Sequence, residues 1–302
     1  MDRVLVTGGT GFIGTELVDS LVQQGVEVGV MSSQQRPDKK LDYTLFSADL
    51  RSPLMDKVLA DFRPKTVFHL AGRKGMGCTR EYDLCMEVNI AGTANLLGSC
   101  HRSGVRKFVF ASSGGTVYGE PPSLPCVETH PLQPKSIYGA TKVAGEALVR
   151  AFSSSFGLSG TSLRLPNVYG PIPASIAPND LITVFGTRML QKQQVTVFGN
   201  GAQKRDYLHV SDAVKAFLLA AKEEGSHVYN VGSGTAVSVM TIFDMLCRLT
   251  GYNQPPKFEP ELPGDILAIS LDSSKITRRL SWVPTIEFSA GLQSTINSLR
   301  KR

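Results

Sequence analysis

Between the apolar run Val4-Leu5-Val6 and a helical stretch that begins at Phe12 stands TGGTGFIG, Thr7 to Gly14. Gly8, Gly11 and Gly14 recur every third residue, so the backbone must turn tightly from strand to helix and offer the helix amino end to an anion such as a pyrophosphate. The spacing differs from the GxGxxG of ordinary dehydrogenases. Beyond the turn, apolar β-rich runs alternate with amphipathic helical stretches, the pattern of a parallel sheet covered by helices on both faces. The strands are expected at Val4–Val6, Val26–Met31, Thr44–Phe46, Thr66–Leu70, Lys107–Ala111 and Thr161–Leu165. Helices are expected at Phe12–Gln24, Leu54–Asp61, Tyr82–His101 and Ser136–Phe156. That is a doubly wound α/β fold. After Pro166 the texture changes to Pro- and Gly-rich loops with shorter elements. Residues 1–166 are therefore expected to bind a dinucleotide and 167–302 mainly to form a smaller α/β substrate lobe, with segments near 207–232 returning to the main sheet.

Composition narrows the function classes. The chain has 302 residues, 42% of them hydrophobic and 19% charged, which is ordinary for a globular protein with an ample core. No uncharged run approaches the length of a membrane span and no signal-peptide pattern opens the chain, so a cytoplasmic protein is expected. The net charge of +6 comes with no basic block or basic-aromatic stripe apart from Arg300-Lys301-Arg302, so a small anionic substrate accounts for it and nucleic acid is not called for. Cys78, Cys85, Cys100, Cys126 and Cys247 are scattered, odd in number and without a CxxC pair, from which reduced thiols are expected. His69, His101, His130, His209 and His227 show no metal-ligand spacing, and His209 reads as structural.

A second constellation is YGATK, Tyr138 to Lys142, opening the long helical stretch, with FASSGGTVYGE at the end of the fifth strand before it. One helical turn sets tyrosine and lysine side by side. An ammonium beside a phenol favours phenolate and would lower the phenol toward the range of a working general base. Ser113, at the strand end, is placed to share a hydrogen bond with a substrate hydroxyl.

With these residues in hand, the chain resembles the extended short-chain dehydrogenase/reductase family, and within it the nucleotide-sugar epimerases and dehydratases, above all the UDP-hexose 4-epimerases. The likeness runs almost end to end. It rests on VTGGTGFIG, SADL, VFHLAG, VNIAGT, FASSGGTVYGE, YGATK, LRLPNVYGP, VFGNGAQKRDYLHVSD, YNVGSG and PGDI…LDSSKITRRLSWVP, in this order. The resemblance implies a Rossmann fold and a dinucleotide, NAD or NADP, on Gly8, Thr10, Gly11, Phe12, Ile13 and Gly14, with Asp49 and Leu50 beside the adenine. Leu70, Ala71, Gly72, Lys74, Asn89, Ala111, Ser112 and Leu165 would complete that site, and Tyr138 and Lys142 would touch the nicotinamide ribose. It makes Tyr138 the catalytic base, Lys142 its electrostatic partner and Ser113 the hydroxyl contact. Gly114, Lys74, Asn167, Val197, Arg205 and Asp265 would hold a UDP-sugar, the arginine through its planar fork on the diphosphate.

Two departures from the family pattern stand out. The acid that usually ends the second strand and binds the ribose 2′-hydroxyl is replaced by Ser32, which with Ser33 and Arg36 admits NADP. Leu262, in ELPGD, stands where many relatives carry a diphosphate-clamping arginine. The chemistry implied is oxidation of the sugar at C4, rotation of the 4-keto intermediate and return of the hydride to its other face, without a metal. An NADPH-dependent reductase of a nucleotide-linked 4-keto-6-deoxy sugar is the alternative, and a non-catalytic dinucleotide-binding protein a third. The resemblance also implies a homodimer paired through the helices of Tyr82–His101 and Ser136–Phe156.

Overall fold

Two-sided burial dictates the architecture. The computed structural model describes residues 2–33, 42–262 and 264–302. Strand β1 (Arg3–Thr7) is buried along almost its whole length, and its alternate side chains go to different cores. Val4 and Val6 join Leu17, Val18 and Leu21 of α1 (Phe12–Gln23). Leu5 joins Met55 and Leu59 of α2 (Met55–Phe62).

The remaining strands of this sheet are β2 (Glu27–Ser32), β3 (Thr44–Ser47), β4 (Thr66–His69), β5 (Lys107–Ser113), β6 (Ser159–Leu165) and, later in the chain, His227–Asn230. They form a seven-stranded sheet in which every pairing is parallel, with His227–Asn230 at one edge, then β6, β5, β4, β1, β2 and β3. Order reverses between β1 and β4. Open parallel sheets bind ligands outside the carboxyl ends of strands at such a switch point.

Between β4 and β5 the helix expected over Tyr82–His101 runs unbroken to Arg102, widened by one π-helical turn. A short helix α3 (Met76–Arg80) precedes it, and the helix itself comprises α4 (Tyr82–Met86), a π-helical turn over Glu87–Ala91 and α5 (Gly92–Arg102). The wide turn puts Asn89 into the interior, where its side chain bonds the main chain of Arg73. After β5 come α6 (Gly114–Val117) and the long helix α7 (Ile137–Phe156). Ser136 caps α7 by accepting from the Gly139 amide at 3.1 Å, and Gly157 ends it at φ +70. Helices α5 and α7 cover the same sheet face as α2, through Leu96, Leu97 and Val149 against Phe108 and Phe110.

The rest of the chain builds a second core. Strand β7 (Asn167–Tyr169) lies parallel to β9 (Lys204–His209), and β8 (Thr196–Phe198) pairs with Lys257–Glu259. Tyr169, Phe185, Tyr207, Phe243 and Leu292 pack together there, and Phe12, the first residue of α1, reaches across to join them. His209 is structural: its Nδ1 accepts from the Ser211 amide and caps the helix Val210–Ala220, which packs beside α1. Among the described residues no helix is long and apolar enough to cross a membrane.

Candidate active site

The glycine turn has no room for side chains. Gly8 has φ +69, and a Cβ on it would stand 2.7 Å from the Ala71 amide nitrogen. At Gly14 a Cβ would stand 2.1 Å from the Gly8 carbonyl oxygen, while Gly11 caps α1 in extended conformation without a side-chain hydrogen bond. The first amides of α1 thus face outward past a stripped backbone, the geometry that suits a pyrophosphate. Next to the turn, Thr10 Oγ1 and Ser32 Oγ lie 2.8 Å apart at the end of β2, and Ser33 is exposed just beyond. Arg36 lies outside the described residues. Asp49 is held by Arg51, whose guanidinium at 2.8 Å keeps the carboxyl below its ordinary range, and the buried Leu50 packs on Gly92.

Past β4, Leu70 and Ala71 run alongside Thr7, with the Ala71 amide donating to Thr7 Oγ1 at 3.3 Å. Thr7 Oγ1 also meets His69 Nδ1 at 2.7 Å, and Thr93 Oγ1 meets the other ring nitrogen at 2.9 Å. Burial, with the Lys142 charge nearby, pushes His69 down to about 3, so it is a neutral spacer. Gly72 sits where a Cβ would approach Asn89 Oδ1 at 3.0 Å. Asn89 donates to the Arg73 carbonyl at 2.9 Å and to Thr141 Oγ1 at 3.0 Å, coupling this loop to the first turn of α7. Lys74 reaches the other way, to Asn179 Oδ1 at 3.4 Å.

The strand end and the helix start are brought together as expected. Ser113 ends β5 close enough to Tyr138 to favour its phenolate, and Lys142 Nζ lies 5.7 Å from the Tyr138 ring centre. The expected phenol acidity is not there, however. Burial pushes Tyr138 up to about 12, and Ser113 only partly opposes this. Lys142 donates to the Ala111 carbonyl at 2.9 Å rather than to the phenol, and burial brings it down to about 8. Spacing alone had put an ammonium beside a phenol; in the folded chain desolvation outweighs that pairing for both groups. The Ser112 hydroxyl is committed to Glu146. Gly114 packs against Leu271, and Leu165 is buried at the end of β6.

A cavity of about 630 Å³ lies on the lobe side, and it gathers Asn167, Val197, Arg205 and Asp265. Asn167 Oδ1 would be 3.5 Å from a Cβ on Gly115, so the cavity adjoins the Ser113 strand end. Arg205 is paired with Asp265. Leu262 lines the wall, and Arg188 and Arg205 are the cations on it among the described residues.

The sequence matches a known family model. The model of the NAD dependent epimerase/dehydratase family covers residues 4–232. The chain belongs to that family. It is 32% identical over 312 residues to the UDP-glucose 4-epimerase of Mycolicibacterium smegmatis, covering 99% of each chain. Among solved structures it is similar to the UDP-glucose 4-epimerase of Thermotoga maritima with UDP-glucose, at 35% identity, TM-score 0.94 and 99% coverage of both chains. It is also similar to the Thermus thermophilus UDP-glucose 4-epimerase in complex with NAD, at 34% identity, TM-score 0.91 and 99% coverage of both.

Within this family member several site residues escaped the sequence reading. The cavity also takes in Asn179, Asp180 and Tyr207, the last 5% exposed with no well-formed hydroxyl partner among the described residues, Asn167 being the neighbouring polar side chain. Asp180 caps the helix Leu181–Leu190 and is pushed up by burial, which Lys74 nearby opposes. A capping Asp before an apolar run was visible in the sequence, but its approach to Lys74 was not. The thiol expectation is corrected: Cys78 and Cys85 form a disulfide between α3 and α4, their Cα atoms 5.0 Å apart, while Cys100, Cys126 and Cys247 are free. The bend at Glu81, between α3 and α4, lies between the two cysteines.

Proposed function

We propose that the protein is an NAD-dependent nucleotide-sugar 4-epimerase acting on a UDP-hexose. The observation that carries this reading is the cluster of Ser113, Tyr138 and Lys142, with Lys142 Nζ 5.7 Å from the Tyr138 ring, standing between the bare glycine turn and the cavity that holds Arg205. The glycine turn suits NAD, because Gly8 and Gly14 clear the backbone where a pyrophosphate would sit. Thr10 and Ser32 are well placed for the adenine ribose, with Asp49 and Leu50 beyond them. When bound, NAD supplies the acceptor for the C4 hydride and returns it.

The residues would divide the work as follows. Arg205, with Asn167 and Tyr207, would hold the diphosphate and nucleoside in the lobe cavity, and Val197 would pack against the base. Asp265 would orient Arg205, and Lys74 would stand where the loop after β4 meets the lobe. Ser113 would bind the sugar 4-hydroxyl and pass its proton to Tyr138, which holds it while the sugar is a 4-ketone. Lys142, 5.7 Å from the Tyr138 ring centre, would oppose with its positive charge the burial that pushes the phenol up. The ketone needs room to turn over, and the cavity provides it.

We divide the chain at residue 166 into a dinucleotide-binding part and a lobe, with the segments near 207–232 returning to the sheet. We also propose a homodimer through α4, α5 and α7, where Tyr82, Met86 and Phe156 are 51%, 41% and 52% exposed. The test of function is to denature the purified protein, identify the released dinucleotide by mass, and incubate native protein with UDP-glucose without added cofactor. Released NAD and formation of UDP-galactose are expected. A protein that binds NADPH and epimerises none of UDP-glucose, UDP-N-acetylglucosamine and UDP-glucuronate would defeat the reading in favour of a 4-keto reductase.

A further inference from the structure

Three consecutive residues at the end of β5 are tied to three successive turns of α7. The Ala111 carbonyl accepts from Lys142, the Ser112 hydroxyl donates to Glu146, and Ser113 stands beside Tyr138 and favours its phenolate. Tyr138, Lys142 and Glu146 are spaced by four and share one helix face. Glu146 is 1% exposed and grips Arg164 of β6 at 2.7 and 2.9 Å. Arg164 is the cross-strand neighbour of Ser112 on one side and of Asn230 on the other. Its other nitrogen donates to Tyr118 Oη at 2.8 Å, and Tyr118 donates to Asn230 Oδ1 at 2.6 Å. A buried polar row thus crosses three strands and ends on the catalytic helix.

Stability is a poor reason for such a row. A buried ion pair is often no better than a well-packed apolar replacement, whereas its directional bonds specify one arrangement. We propose that Glu146 is a positioning residue of the reaction: anchored by Arg164, it holds the strand end that carries Ser113 in register with the helix face that carries Tyr138 and Lys142. The inference rests on the function proposed above. The charged and titratable groups around Tyr138 are Lys142 and the polar Ser113. Those around Glu146 are Lys142 one turn before it, Arg164 and, across a cavity of about 340 Å³ on the far side, Glu128, Arg150, His227 and Lys275.

The test uses Ser112→Ala, which cuts the strand from the carboxylate and leaves the Glu146–Arg164 pair in place. With the NAD-loaded protein and UDP-glucose, kcat is expected to fall about tenfold, with KM within about twofold and dinucleotide content unchanged. The acid limb of the pH–rate profile should move upward, because a loosened Ser113 no longer favours the Tyr138 phenolate. Ser112→Thr, which keeps the hydroxyl, should restore both. Wild-type kcat and acid limb in Ser112→Ala would overturn the proposal, and so would a loss that Ser112→Thr does not restore. If the unmodified protein epimerises nothing, the functional reading fails by itself. The register is then read without substrate from the ultraviolet titration of Tyr138, taken as the difference from Tyr138→Phe. An upward shift in Ser112→Ala upholds it and an unchanged midpoint overturns it.

Discussion

Replacing Gly14 by alanine tests the backbone-clearance argument at its tightest point. The new Cβ would stand 2.1 Å from the Gly8 carbonyl oxygen and 2.7 Å from Gly9 Cα, both main-chain atoms that no rotamer change relieves. Contacts to carbon are comfortable only near about 3.5–4.0 Å, so the turn or the helix start must move by roughly an ångström. Overpacking of that kind costs about 1–3 kcal/mol, against which alanine in place of a helical glycine returns up to about 1 kcal/mol. The net loss, about 1–2 kcal/mol, corresponds to a fall in Tm of roughly 2–6 °C for a chain of this size. Dinucleotide affinity should fall much further, by about a hundredfold, because the displaced amides are those proposed to meet the pyrophosphate. Gly98 in α5 is the matched control. A Cβ there meets only the Arg102 guanidinium, at 3.2 Å, and that side chain can swing away. Gly98→Ala should therefore stabilise the protein by about 0.5–1 kcal/mol and leave binding unchanged. Calorimetry and titration with NAD read both variants. A Gly14→Ala protein that binds NAD as the parent does would refute the claim that backbone clearance makes this site.

Tyr138→Phe should lower kcat by about 10²–10⁴-fold while the purified protein retains its dinucleotide, since only the proton-carrying hydroxyl is lost; full activity would remove the assignment of Tyr138 as base. Lys142 falls to about 8 in the folded protein from 10.5, so the unfolded chain binds the extra proton and stability rises with pH between those values. Lys142→Met should abolish this rise and stabilise the dinucleotide-free protein by on the order of 2–3 kcal/mol at pH 7, at the expense of activity; denaturant unfolding from pH 7 to 10 checks the slope. Alkylation of the denatured, unreduced protein should modify three cysteines, Cys100, Cys126 and Cys247, and all five only after reduction. Five modified before reduction would deny the Cys78–Cys85 bond.

Much of the site was legible because it is local. The glycine triplet lies between the end of its strand and the first turn of its helix, from Thr7 to Gly14, and steric exclusion by backbone acts over that range. The parallel sheet was legible for a related reason: strands buried on both faces read as unbroken apolar runs. Strand positions came within a residue or two, although β5 and β6 extend further, to Ser113 and back to Ser159, than their apolar cores suggest. The π-turn at Glu87–Ala91 left no local mark, because Asn89 turns inward to satisfy the Arg73 main chain, sixteen residues away.

By itself, then, the order of residues determined what depends on near neighbours and periodicity: the doubly wound sheet, the phosphate-accepting turn and the tyrosine–lysine pair on one helix face. Tertiary structure decided whatever depends on burial and on groups far apart in the chain. Ser112, Glu146, Arg164 and Asn230 become one polar row only when β5, α7, β6 and the His227–Asn230 strand are stacked side by side. Tyr138 and Lys142 show the same division within a single turn of helix. Their adjacency is written in the spacing of YGATK, but their protonation is set by the water that folding removes, and no pattern of letters records how much water that is.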